Sequence, residues 1–183
     1  MRTFIAVELN KEQKEKLAEF QKELKKCGAD LKIVENENLH LTLRFLGEID
    51  EKDLEKVKKG LQLAASGAQP FEMHLKGTGV FPSLEHINVI WVGISEGASE
   101  LSQLAEKINS EIKVGEKDSR GFSAHITVAR VKSASGKENI LNVLKQFANF
   151  DFGSAKISEI KLKESKLTPN GPQYSDLAVF QLE

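Results

Sequence analysis

One four-residue pattern occurs twice in this chain and constrains it more than any other feature. His40-Leu41-Thr42-Leu43 returns as His125-Ile126-Thr127-Val128. On a β-strand, successive side chains point to opposite faces. His40 and Thr42 therefore share one face, and Leu41 and Leu43 the other. His125 and Thr127 stand in the same relation to Ile126 and Val128. The apolar faces demand a core. If both strands line one cleft, the polar faces bring two imidazoles and two hydroxyls around one small volume. The copies lie nearly half of the 183-residue chain apart.

The surrounding pattern repeats with the motif. Phe4–Val7 reads as a first strand, and Asn10 caps a helix to about Lys26 that Gly28 ends. Leu31–Val34 and Leu39–Leu46 read as strands. Asp50 caps a helix to about Ala65. Strand Phe71–Gly77, a loop over Gly77–Ser83 and strand Asn88–Ile94 follow. In the second half, a helix over Ala98–Val114 precedes motif strand Ala124–Val131 and a helix over Lys137–Phe147. Strands near Lys156–Leu167 and Asp176–Leu182 flank the turn Thr168-Pro169-Asn170-Gly171-Pro172. This rhythm points to an internal duplication with one motif per lobe. No Pro/Ser-rich linker separates the halves. The expected fold is α+β: one compact two-lobed domain over residues 1–183. Two pseudo-symmetric lobes with antiparallel sheets surround a central groove, with helices outside.

Composition narrows the partners. A 40% hydrophobic and 29% charged chain reads as globular and able to bury a core. No run approaches the ~18 apolar residues of a membrane span, and Arg2 and Glu8 charge the N-terminus too early for a signal peptide. With Cys27 as its single cysteine, the chain is expected in the cytoplasm, as a monomer. Heavy Lys and Glu usage hints at a thermophilic source. A net charge of −1 supplies no global field for nucleic acid, so any RNA contact must be local. Three of the four arginines, Arg44, Arg120 and Arg130, lie within five residues of a motif histidine, and a guanidinium fits a phosphate well.

The motif suits proton transfer at phosphorus. One imidazole can take a proton from a nucleophile while the other gives one to a leaving oxygen. The Thr hydroxyls can donate to non-bridging phosphoryl oxygens. A strained cyclic phosphate is the substrate best matched to this kit. No cofactor or metal is expected, because a catalytic zinc wants about three protein ligands and Thr is a poor one. His74 shares a face with Glu72 and Lys76 and reads as exposed; His86 sits in a polar turn. Strict alternation puts Arg44 on the face of His40 and Thr42, as a phosphate contact. It puts Arg130 opposite His125 and Thr127, in a structural or rim role, unless a bulge intervenes. Phe81 can stack on a base at the groove mouth or anchor its loop in the core; Tyr174 and Phe122 are candidates of the same kind. Trp91, in an apolar run, reads as core.

The chain resembles the RNA 2′,3′-cyclic phosphodiesterases, historically called 2′-5′ RNA ligases, within the two-histidine phosphoesterases. The likeness runs through Arg2–Val7, His40-Leu41-Thr42-Leu43-Arg44-Phe45-Leu46-Gly47, Gly79-Val80-Phe81-Pro82 and Trp91-Val92-Gly93. It continues through His125–Arg130, Ser165-Lys166-Leu167 and Gly171-Pro172-Gln173-Tyr174. The resemblance implies hydrolysis of RNA 2′,3′-cyclic phosphate ends to 2′-phosphates, with a reverse reaction that joins RNA through a 2′-5′ bond. It implies catalytic roles for His40, Thr42, His125 and Thr127, with RNA ends, tRNA halves among them, as partners. His125 is taken as the base on water and His40 as the acid on the 3′ oxygen, although pseudo-symmetry leaves the reverse open. Competing readings are a phosphodiesterase for a small cyclic phosphate, such as one derived from ADP-ribose, and a binding module without catalysis. No Gly-x-x-x-x-Gly-Lys-Ser/Thr loop is present for ATP-driven ligation.

Overall fold

The computed structural model describes residues 1–117 and 119–183. Strand β1 (Arg2–Glu8) leads into helix α1 (Lys11–Lys26), then β2 (Leu31–Ile33) and the first motif strand β3 (His40–Glu48). Helix α2 (Leu54–Ser66), β4 (Phe71–Pro82), β5 (Ile87–Glu96) and α3 (Ala98–Glu111) precede the second motif strand β6 (Ile126–Val131). Helix α4 (Lys137–Gln146) and strands β7 (Asp151–Ile157), β8 (Glu159–Thr168) and β9 (Gly171–Gln181) complete the chain. Asn10 caps α1 as expected, in a reciprocal capping box with Gln13.

Two sheets result, ordered β3-β1-β8-β9 and β2-β6-β5-β4-β7, with every pair of neighbours antiparallel. Each carries one motif strand. The sheets do not coincide with sequence halves: β8 and β9 close the sheet that β1 and β3 begin, and β2 pairs with β6. The helices bury their apolar stripes on the sheets, Leu17, Phe20 and Leu24 from α1 among them.

Two elements differ from expectation. The Gly77–Ser83 loop is strand for most of its length, because β4 continues to Pro82 and pairs with β5 through Thr78–Phe81. Gly79 makes this possible: a Cβ there would lie 2.2 Å from the Trp91 ring. Strand β7, on the far edge beside β4, begins at Asp151 where no element was expected, and the single strand expected near Lys156–Leu167 divides between β7 and β8. Its mixed run Asp151-Phe152-Gly153-Ser154 gave too short an alternation to read.

The decisive local feature is a bulge just after each motif threonine; β3 carries a second irregularity further on, at Leu46. Ala6 pairs with Thr42 and Ile5 with Arg44, so Leu43 is the extra residue in β3. Trp91 pairs with Thr127 and Ile90 with Ala129, so Val128 is the extra residue in β6. A bulge of one residue flips every later side chain to the other face. Along both stretches two successive residues are buried, Leu43-Arg44 and Val128-Ala129, and the next one is exposed. Buried Gln21 of α1 secures the second bulge, donating from Nε2 to the carbonyl oxygens of Val34 (2.9 Å) and Val128 (3.0 Å).

Candidate active site

His40, Thr42, His125 and Thr127 line one groove of about 400 Å³ between the sheets. Strand alternation turns each His-Thr pair inward and packs Leu41, Leu43, Ile126 and Val128 into the core.

The two imidazoles are held alike. His40 Nδ1 lies 2.7 Å from the carbonyl oxygen of Asn38, and His125 Nδ1 lies 2.7 Å from that of Ser123. A carbonyl only accepts, so Nδ1 of each ring carries a proton and donates it. Nε2 is then left to exchange protons. In the neutral ring of His40, Thr42 Oγ1, 2.9 Å away, donates to Nε2. When His40 is protonated, Nε2–H donates instead, and the Thr42 hydroxyl is free to donate outward. Asn38 is itself buried, and its Nδ2 donates to Pro172 O (2.9 Å) at the base of the β8–β9 hairpin tip.

Aromatic rings frame both sites. Phe4 lies 4.9 Å from the His40 ring and Tyr174 meets it edge-on at 5.4 Å. Phe81 meets His125 edge-on at 5.0 Å, with Trp91 packed against Phe81. Burial depresses the pKa of His40 and Lys163 adds to the effect; the Asn38 hydrogen bond opposes it. Burial likewise depresses His125, helped by Arg130 and opposed by the Ser123 hydrogen bond. Beside His40, Glu8 and Asp176 form ion pairs with Lys161 and Lys163, including Lys161 Nζ to Asp176 Oδ2 at 2.9 Å.

The arginines change places relative to expectation. Arg44 is only 6% exposed and faces away from the groove, because the Leu43 bulge reverses it. Its guanidinium donates to the carbonyl oxygens of Ile112 (2.8 Å), Val114 (3.1 Å) and Glu116 (3.2 Å). It therefore clamps the segment after α3 onto β3. Arg130, expected off the groove, lines it, because Val128 is the bulged residue there.

Of the ring candidates, Tyr174 lines the groove. Phe81 stands behind His125, Trp91 flanks it rather than lying in the apolar core, and Phe122 packs against the core cluster. His74 pairs with Asp151 (2.6 Å), and it and His86 lie outside the groove. Sequence reasoning missed Phe45, Arg2 and Asn38, all on the groove wall. Superposing the two motifs would have found Phe45, since it follows His40 at the spacing by which Arg130 follows His125.

Two imidazoles, two hydroxyls and a guanidinium facing one groove form a donor set suited to a phosphate ester. The profile described as "LigT like Phosphoesterase" matches residues 7–91 and again 92–174. The RNA 2′,3′-cyclic phosphodiesterase of Methanothermobacter thermautotrophicus is 36% identical over 183 residues, 100% of this chain and 99% of that protein. The protein of the same name from Methanocaldococcus jannaschii is 39% identical over 175 residues, 95% of this chain and 96% of its own length. The crystal structure of TT0787 from Thermus thermophilus superposes with a TM-score of 0.85 at 30% identity, covering 100% of this chain and 98% of that one. The chain belongs to the LigT-like phosphoesterase family.

Proposed function

We propose that this enzyme hydrolyses RNA 2′,3′-cyclic phosphate ends to 2′-phosphates by acid–base catalysis between His40 and His125. One observation carries the reading: two imidazoles in one groove, each with Nδ1 fixed on a backbone carbonyl and each followed by a threonine. The names of the relatives supply the substrate class.

In the proposed reaction, His125 Nε2 takes a proton from water as its oxygen attacks phosphorus. The bond from phosphorus to the 3′ oxygen breaks, and His40 Nε2–H protonates that oxygen. The phosphate stays on the 2′ oxygen. Charge builds on the non-bridging oxygens, where Thr42 and Thr127 donate. Protonated His40 frees the Thr42 hydroxyl for this task, so the acid form of one residue prepares the other. Arg130 is the guanidinium for the phosphate, and Tyr174 keeps the His40 ring edge-on. The donor set suits an anion rather than a divalent cation, and the reaction as drawn has no step for a metal. With a ribose 5′-hydroxyl of a second RNA attacking phosphorus in place of water, the same displacement of the 3′ oxygen by the same groups would join a 2′-5′ bond.

Substitution of the histidines tests the pairing. His40→Ala and His125→Ala should each slow hydrolysis of an RNA 2′,3′-cyclic phosphate by roughly 10²–10⁴. The double variant should lose less than the product of the two, because both groups serve one transition state. Near-normal turnover in either single variant contradicts the paired roles.

A further inference from the structure

Phe45 has no part in the acid–base scheme, yet its ring is 38% exposed on the groove wall. Arg2 holds it: the guanidinium carbon sits 5.0 Å above the ring centroid. The other aromatic rings near the groove are committed. Phe4 and Tyr174 pack on each other and on His40, and Phe81 and Trp91 pack on each other and on His125. At the matching place on the opposite wall stands Arg130. The groove is therefore nearly symmetric in its imidazoles and hydroxyls and lopsided one step further out, with a flat ring under Arg2 on one side and Arg130 on the other.

We propose that Phe45, backed by Arg2, is the stacking platform for the base of the terminal nucleotide, a subsite of the RNA-end site proposed above. The reach fits. With Leu43 bulged out of register, Phe45 lies two pleat steps beyond Thr42, roughly 7 Å along the strand at the usual rise. A nucleobase stands at a similar distance from a phosphate on its own ribose. The base lies on the ring face that Arg2 leaves open, and the anionic backbone is directed to Arg130. This also sets the ribose, with its departing 3′ oxygen, on the His40 side. Stacking on a bare ring reads size rather than hydrogen-bonding pattern, so every base is accepted and purines bind more tightly than pyrimidines.

Steady-state kinetics with adenosine and cytidine 2′,3′-cyclic phosphates, and with an oligonucleotide whose terminal cyclic-phosphate ribose lacks a base, tests this. Phe45→Ala and Phe45→Leu should each raise KM for the adenosine substrate about tenfold, with kcat within about twofold. They should erase the purine preference and leave the base-free substrate unchanged. Phe45→Trp should restore binding. In parallel, the fluorescence of 2-aminopurine riboside 2′-phosphate should be quenched by the parent protein and by Phe45→Trp, and not by Phe45→Leu. An equal KM rise for the base-free substrate, or unchanged quenching in Phe45→Leu, overturns the platform. Should the parent protein hydrolyse no cyclic phosphate, the RNA-end reading fails, while the quenching comparison still decides whether Phe45 stacks a base.

Discussion

The two imidazoles differ in what holds them. His40 is wedged between Phe4 and Tyr174 beside the Glu8, Lys161, Lys163 and Asp176 cluster, and its carbonyl anchor, Asn38, is tied to Pro172. His125 has Phe81 and Trp91 for support. Both rings are depressed below the ordinary value of 6.5, chiefly by burial. Burial thus favours the neutral ring at both in the free enzyme, and the bell-shaped profile of kcat/KM should be centred on the acid side of 6.5. Its limbs belong to the coupled pair rather than to either residue. A bound phosphate anion favours the imidazolium, so the profile of kcat should lie at higher pH than that of kcat/KM. A kcat/KM that rises steadily to pH 10 would contradict a protonated acid. Stability follows with a definite sign. Between the depressed folded values and 6.5 the unfolded chain binds more protons than the folded one. The histidine contribution is thus complete above about pH 6.5 and is lost as pH falls. Thermal unfolding from pH 7.5 to 5 should show this loss, and His40→Ala and His125→Ala should each reduce it. At this scale the sequence was most legible, because strand alternation alone places both His-Thr pairs on polar faces.

The bulges are where alternation stopped being a guide. Up to Thr42 and Thr127 a period of two is correct; one extra residue in each strand then exchanges the places of Arg44 and Arg130. Nothing in Leu43 or Val128 announces a bulge, since either is an ordinary strand residue. What fixes the second one is remote: Gln21, on a helix more than a hundred residues upstream, donates to the Val128 carbonyl. Likewise Gly79 reads as a loop residue until Trp91 is seen to lie against it. The arginine exchange gives opposite expectations for two similar substitutions. Arg44→Ala should destabilise the fold by about 3 kcal/mol, because three carbonyls lose a charged donor. Arg130→Ala should leave the unfolding midpoint nearly unchanged, raise KM for RNA ends and flatten its salt dependence. Urea unfolding and kinetics at two salt concentrations separate the two. A stable Arg44→Ala protein with a raised KM would return Arg44 to the groove.

Taken whole, the molecule places one motif on each of two sheets and puts the groove where the sheets meet. Two antiparallel sheets, outer helices and a shared cleft were legible from element rhythm and the doubled motif. Strand exchange was not: β8 and β9, last in sequence, complete the first sheet, because hydrogen-bonding partners distant in sequence leave no local trace. That exchange matters for function, since it brings Tyr174 and the β8–β9 tip to His40. No described helix is long and apolar enough to cross a membrane. In the proposed reaction two histidines transfer the protons without a metal, and the 3′ oxygen departs. Phosphorus NMR of the product formed from an oligonucleotide 2′,3′-cyclic phosphate, incubated with the enzyme and a strong chelator, tests both points in one measurement. The account predicts complete conversion to a 2′-phosphate monoester. A 3′-phosphate end, or a cyclic phosphate left intact until zinc or manganese is restored, would contradict it.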